Sequence, residues 1–210
     1  MEPTEGNLRA WEEAHKRIRR SSPRGSRTLP KPVRERLPDI AGRHVLHLAC
    51  GAGRETAALM GLGALVTGVD ATEATVKAAR KRLPDAALVT ASPEALPVEL
   101  RRKRFDVVYQ SWGALAEIGD LEGWADGIAA ALKKGGILFL YDEHPVAACL
   151  DQMLHWHESY FETWPIGRLV HALGGAGLAL ERLEELPDPN RWGRREVRVP
   201  GDLILIARKP

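Results

Sequence analysis

The sequence predicts an α/β fold: a doubly wound, mostly parallel seven-stranded sheet that ends in an antiparallel C-terminal strand. Three observations lead to it. From residue 43 onward, apolar runs of strand length alternate with segments of helical periodicity. The strand runs are continuous in their apolar character, the pattern of parallel strands covered on both faces. The last two strand-like segments have no helical pattern between them, so they pair as a hairpin and the final strand runs against the others.

The elements follow in order. Residues 8–20 repeat apolar groups (Leu8, Trp11, Ala14, Ile18) at helical spacing, and Ser21 to Ser26 then punctuate the chain with Pro23 and Gly25. Pro30 and Pro32 precede a second short helical stretch. The predicted strands are His44–Ala49, Leu65–Asp70, Ala87–Thr90, Phe105–Ser111, Ile137–Asp142, Ala179–Leu186 and Leu203–Ala207. Helical patterns cover Arg54–Leu62, Glu73–Arg82 and Leu121–Lys133, with a short turn near Pro93–Leu96. A further helix, Ile166–Gly175, carries Leu169, Val170 and Leu173 on one face and stops at Gly174 and Gly175.

A chain of 210 residues supports one sizeable core. We divide it into a basic helical extension, residues 1–38, and a main domain, residues 39–210. Hydrophobic residues at 44% and charged residues at 28% are ordinary globular values, which argue against a disordered chain. No apolar run approaches a bilayer span, and Glu2 and Glu5 follow Met1 where a signal peptide would be basic, so we expect a cytoplasmic protein without a membrane partner. Cys50 and Cys149 have no framework or metal spacing, which fits a reducing compartment. The net charge of +2 hides an uneven distribution: residues 1–36 hold ten basic residues against five acids, and Arg101 to Arg104 form a second basic knot. Such patches attract nucleic acid, but no aromatic interleaving accompanies them, so nucleic acid is the less favoured partner. The sequence sets no oligomeric state.

Function concentrates in Val45 to Thr56, a buried strand, a glycine turn and a helix start. Gly51 and Gly53 lack a Cβ, so the backbone can turn sharply and come close to a ligand. The free amides of the next helix favour an anionic or electron-rich group there. Nineteen residues after Gly51 the second strand ends in Asp70, whose carboxylate can accept both hydroxyls of a ribose. The pair describes a nucleoside site. A pyrophosphate-binding turn wants Gly or Ala where this chain has Thr56, which argues against a dinucleotide.

With these features together, the chain resembles the class I S-adenosylmethionine-dependent methyltransferases from about Val45 to Arg208. The resemblance rests on His47 to Gly53, on Gly68-Val69-Asp70, and on Pro93 to Pro97 after the third strand. Phe105 to Val108 and Leu132 to Gly136 support it. It implies S-adenosylmethionine as cofactor, held by Trp11, Ala49, Cys50, Gly51, Ala52, Gly53, Thr56, Asp70, Ala71, Ser92, Pro93, Gln110 and Trp112. It also implies methyl transfer, with the helix around Trp11 as a lid; we expect a small-molecule acceptor, and the alternatives are a nucleic-acid methyltransferase or a protein that binds S-adenosylmethionine without catalysis. Departures are visible. Cys50 stands where the resemblance leads us to expect an acid that helps hold the methionine amino group, Ser92 where an Asp would meet the adenine amine, and Lys134 in place of a Pro.

In a doubly wound sheet the ligand lies outside the carboxyl ends of the strands, which places Gln110, Ser111, Trp112, Asp142, Glu143 and His144 at the site. Methyl transfer from a sulfonium needs positioning above all, and a base only where the acceptor is a hydroxyl or a protonated amine. His144 is the candidate catalytic base because an imidazole titrates near neutral pH. His155, His157 and Glu158 lack the i,i+4 pair of a helix-borne zinc site, so no metal is expected. Trp156, Tyr160, Phe161 and Trp164 suggest an aromatic lining for the acceptor, and Trp192, Arg194 and Arg195 a cap over it.

Overall fold

Continuous apolar strands need cover on both faces, and the chain provides it. The computed structural model describes residues 29–111, 113–151, 153–188, 191 and 198–210. Among them lie seven strands: β1 (His44–Leu48), β2 (Leu65–Asp70), β3 (Ala87–Thr90), β4 (Phe105–Ser111), β5 (Leu132–Glu143), β6 (Ala179–Leu186) and β7 (Asp202–Arg208). The α-helices are α1 (Lys31–Arg36), α2 (Arg54–Gly61), α3 (Glu73–Arg82), α4 (Leu121–Ala131), α5 (Pro145–Ala148) and α6 (Ile166–Gly175). The expected helix over residues 8–20 lies outside the described residues, as do Trp112, Trp192, Arg194 and Arg195.

The strands order as β3-β2-β1-β4-β5-β7-β6. The first five run parallel, and β7 is antiparallel to both β5 and β6, as the missing crossover helix requires. The connection reverses direction between β1 and β4. This switch point leaves a crevice at the carboxyl ends of the two strands.

The pleat sorts the core into two layers. Leu46, Leu48, Val108, Leu138, Leu140 and Leu205 face Trp124 and Ile128 of α4 and Leu169 and Leu173 of α6. Val45, Val107, Tyr109, Phe139 and Ile204 face the other way, against Val33 of α1 and Leu59 of α2. Each large apolar side chain buried in this way contributes about 1.5–3 kcal/mol. Leu29 and Val33 are in this second layer, so the part of the basic extension nearest the sheet helps to build its core.

One boundary is corrected. The sequence places the fifth strand at Ile137, but β5 starts at Leu132, directly after α4. The sequence carries the preceding helix to Lys133 and leaves Lys134 to Gly136 as the link, whereas α4 ends at Ala131. The chain instead stays in the sheet through an irregularity, where the pairing shifts between Phe105 and Val107 and Gly135 takes φ 77°. The Lys133 ammonium reaches Asp106 Oδ1 at 2.9 Å and fastens the bulged end to β4.

Candidate functional site

After β1 the backbone enters positive φ three times, at Ala49 (50°), Gly51 (54°) and Gly53 (76°). Cys50 N donates to Val69 O at 2.9 Å, which keeps the turn beside the tip of β2, and Gly53 N donates to Cys50 O at 3.0 Å, which closes it. Gly53 is needed for packing as well as for its φ: a Cβ there would lie 3.0 Å from Leu83 Cδ1 and 3.4 Å from Ala79 Cβ. Gly51 differs, because a Cβ on it would meet nothing within 4 Å. Its outer side is open to a ligand. Gly53 is the N-cap of α2 and offers no side-chain acceptor, so the first amides of that helix are free of side-chain capping.

Asp70 completes the rim. Its Oδ2 accepts from Gly51 N and its Oδ1 from Thr72 N, both at 3.0 Å, so each oxygen keeps acceptor capacity for a ribose hydroxyl. Ala91 N donates to Asp70 O at 3.0 Å and draws the loop after β3 alongside. Ala49, Gly51, Ala52, Gly53, Asp70, Ala71, Ser92 and Pro93 therefore gather at the ends of the first three strands. The open side of Gly51 and the oriented carboxylate of Asp70 fit a nucleoside of the S-adenosylmethionine type.

Other expected residues have a different setting. The Cys50 side chain packs with Val76, Ala79 and Leu88 beneath the turn, and its Sγ lies 3.0 Å from where a Cβ on Gly68 would be. Burial pushes its thiol up to about 12. An acid there would be buried away from the open side of the turn, so the lack of charge at Cys50 takes nothing from that side. Thr56 is buried and its Oγ1 lies 2.9 Å from His47 Nδ1. Burial holds that imidazole near a pKa of about 3, so it is neutral. Gln110 turns into the helix-facing layer, where its Oε1 accepts from Trp124 Nε1 at 2.8 Å and its Nε2 has no partner. Any contact of Cys50, Thr56 or Gln110 with a ligand is thus left to the backbone.

At the end of β5, consecutive residues go to opposite faces. Asp142 is buried and accepts from Gly113 N at 2.5 Å, Glu143 N at 2.7 Å and Leu115 N at 2.8 Å, which pins the loop after β4. Burial raises its pKa to about 7, against the pull of these three amides. Glu143 pairs with Arg191 on the other face. His144 caps α5: its Nδ1 accepts from Val146 N at 3.1 Å, which leaves Nε2 to donate to Glu185 Oε1 at 2.8 Å. Both ring nitrogens are occupied. Burial also lowers the His144 pKa, while the Glu185 carboxylate works the other way.

Four polar residues at the crevice, Glu55, Tyr109, Tyr141 and Asp202, were not singled out from sequence, and they lie with Ser111 and Glu143, which were. Tyr109 and Ser111, two apart on β4, both donate to Glu55 Oε2 from the first turn of α2. Tyr141 donates to Asp202 Oδ2 at 2.9 Å. Burial raises the pKa of Glu55, which the two hydroxyls oppose, and that of Glu143, which Arg191 opposes. Strand alternation was the available signal: Tyr109, Ser111, Tyr141 and Glu143 are the odd positions of two adjacent strands.

The remaining candidates are dispersed. Trp156 and Phe161 are exposed, Trp164 Nε1 donates to Ile118 O at 2.7 Å, and Tyr160 OH accepts from Ile166 N at 3.1 Å. The basic knot at Arg101 to Arg104 precedes β4 and is held to Ala130 and Ala131 at the end of α4, at the opposite end of the sheet from the crevice. Among the described residues, no group of three His, Cys, Asp or Glu side chains could hold a metal ion, and no helix is long and apolar enough to cross a membrane.

A glycine turn after β1, an acid at the tip of β2 and an antiparallel last strand are the features on which the sequence resemblance rests, and the structure brings the first two together. Residues 46–140 match a family model described as a methyltransferase domain. The chain is 37% identical over 112 residues to an uncharacterized methyltransferase of Synechocystis sp., covering 52% of this chain and 51% of that one. It is 36% identical over 105 residues to a trans-aconitate 2-methyltransferase of Paracidovorax citrulli, covering 49% and 40%. The crystal structure of an S-adenosylmethionine dependent methyltransferase from Mesorhizobium loti shares the fold, with a TM-score of 0.69 and 24% identity over 88% of this chain and 98% of that one. The chain spans about half or less of the length of the two curated relatives. Over residues 46–140 the chain is thus similar to a methyltransferase domain, and its fold is shared with an S-adenosylmethionine dependent methyltransferase.

Proposed function

We propose that the protein transfers a methyl group from S-adenosylmethionine to a small-molecule acceptor. The observation that carries this reading is the joined pair of Gly51 and Asp70, an open glycine turn hydrogen-bonded to an acid whose oxygens keep acceptor capacity. The cofactor supplies a methyl group on a sulfonium, open to in-line attack. The chain holds and orients it. Ala49, Gly51, Ala52 and Gly53 offer backbone to the nucleoside, Asp70 binds its ribose, and Ala71, Ser92 and Pro93 flank the base. Asp142 acts through the loop it pins at Gly113 and Leu115. Trp11 serves as part of a lid.

The acceptor occupies the other side of the switch point, where Tyr141, Glu143 and Asp202 cluster. Two points support a small molecule over nucleic acid: the relative whose name specifies trans-aconitate acts on one, and the Arg101–Arg104 knot is remote from the crevice. A cytoplasmic setting fits such a substrate. His144 acts as a helix cap in this reading, since its Nδ1 and Nε2 are both engaged.

Calorimetry tests the cofactor assignment. S-adenosylhomocysteine should bind and NAD should not; tighter binding of NAD overturns the reading. Transfer of a labelled methyl group across a panel of carboxylates, phenols and amines, with RNA and DNA as comparison, tests the acceptor class. Labelling of nucleic acid alone would replace it.

A further inference from the structure

We infer that Glu55 is the counter-ion for the ammonium group at the amino-acid end of the methyl donor, an assignment that rests on the reading of Gly51 and Asp70 as its nucleoside site. The positions of the two acids on either side of β1 point to this. Asp70 ends β2, whereas Glu55 is bonded to Tyr109 and Ser111 at the end of β4, the strand on the other flank of β1. A ligand lying across the switch point with its ribose over Asp70 directs its opposite end toward Glu55. That end of S-adenosylmethionine is a zwitterion, and it needs both an anion and a set of donors.

The chain offers both within one turn of α2. The first amides of the helix have no side-chain cap and suit the ligand's carboxylate. Glu55 is two residues past the Gly53 cap, and both hydroxyl bonds from β4 fall on its Oε2. Among the described residues its Oε1 takes no hydrogen bond, and the side chain is only partly covered. The carboxylate is therefore held firmly by one oxygen with the other left to accept. Two hydroxyl donors on one oxygen favour the ionised form, although burial raises the pKa of the group. No nearer alternative exists on the turn itself, since Cys50 is turned under it and His47 is buried and neutral.

The alternative is that Glu55 only ties α2 to β4, and the choice of ligands separates the two roles. S-adenosylhomocysteine carries the ammonium group; 5′-methylthioadenosine keeps the nucleoside and thioether and lacks the amino-acid end. Calorimetry on the full chain should show Glu55→Gln losing about tenfold to a hundredfold in affinity for S-adenosylhomocysteine, the scale of a hydrogen bond to a charged group, while 5′-methylthioadenosine changes by less than about twofold. Gln retains an oxygen for Tyr109 and Ser111, and thermal unfolding checks that the variant is folded. Equal losses for both ligands, or none for either, overturn the inference. A measurement on the unaltered protein guards against a variant that fails to fold. The deaminated analogue of S-adenosylhomocysteine should bind at least tenfold more weakly than the parent, and equal affinities also overturn it. Failure of the unaltered chain to bind either nucleoside would instead remove the cofactor assignment on which the inference stands.

Discussion

Asp70 Oδ2 accepts the backbone N–H of Gly51 at 3.0 Å, joining the tip of β2 to the glycine turn nineteen residues earlier in the chain. The same carboxylate thus shapes the turn and, in the proposed reading, presents acceptors to a ribose. Asp70→Asn keeps one oxygen and turns an NH2 group toward either Gly51 or Thr72. Affinity for S-adenosylhomocysteine should drop by about 1–3 kcal/mol with the circular dichroism spectrum unchanged. Unaltered affinity in a folded variant would detach Asp70 from the ligand.

Ala49 holds φ 50° without being glycine. A Cβ in the left-handed region costs roughly 1–2 kcal/mol, and the extra freedom of glycine in the unfolded chain returns part of that. Ala49→Gly should therefore stabilise the protein by about 0.5–1 kcal/mol in urea unfolding. A loss of stability would mean that the methyl group makes contacts worth more than the strain.

Asp202 bears on stability through pH. Burial, with Asp188 and Glu143 nearby, raises its pKa from 3.8 to about 6, despite the hydrogen bond from Tyr141 and the charge of Arg191. The folded state then binds the proton more tightly than the unfolded state, so this contribution is complete below the unfolded pKa and is lost as pH rises toward 6. Asp202→Asn should be more stable than the parent by about 1–3 kcal/mol at pH 7, with the gap closing near pH 4. Denaturant midpoints at the two pH values decide it, and a gap that persists at pH 4 would trace the gain to packing.

His144→Asn separates a cap from a base. Asn can accept from Val146 N as the imidazole does, so turnover should stay within about threefold, whereas loss of a general base costs roughly 100-fold or more. The lost bond to Glu185 should lower stability by about 1 kcal/mol. A hundredfold fall in kcat, with stability little changed, would return His144 to the chemistry.

The features legible in the sequence are those written locally. The strand runs, the helix Ile166–Gly175, the Gly51–Gly53 turn and Asp70 each declare themselves within a dozen residues, and the missing crossover before β7 fixes its direction. The bonds that assemble the crevice are not local: Ser111 meets Glu55 across 56 positions, and Leu115 meets Asp142 across 27. The irregularity at Lys133–Gly136 hid the start of β5 because glycines in a bulge and glycines in a turn look alike in sequence. Gln110 and Thr56 sit near the site in sequence, and only their burial shows that the side chains point into the body of the protein.

The pleat of β5 has an evolutionary consequence. Asp142 and Glu143 are neighbours in the chain, yet one anchors the loop after β4 and the other faces Arg191. A lineage can therefore redraw the polarity around Glu143 by single substitutions while the residue beside it keeps its anchor. In the proposed reading, diversification of substrate and inheritance of the donor are separated here by one step along a strand.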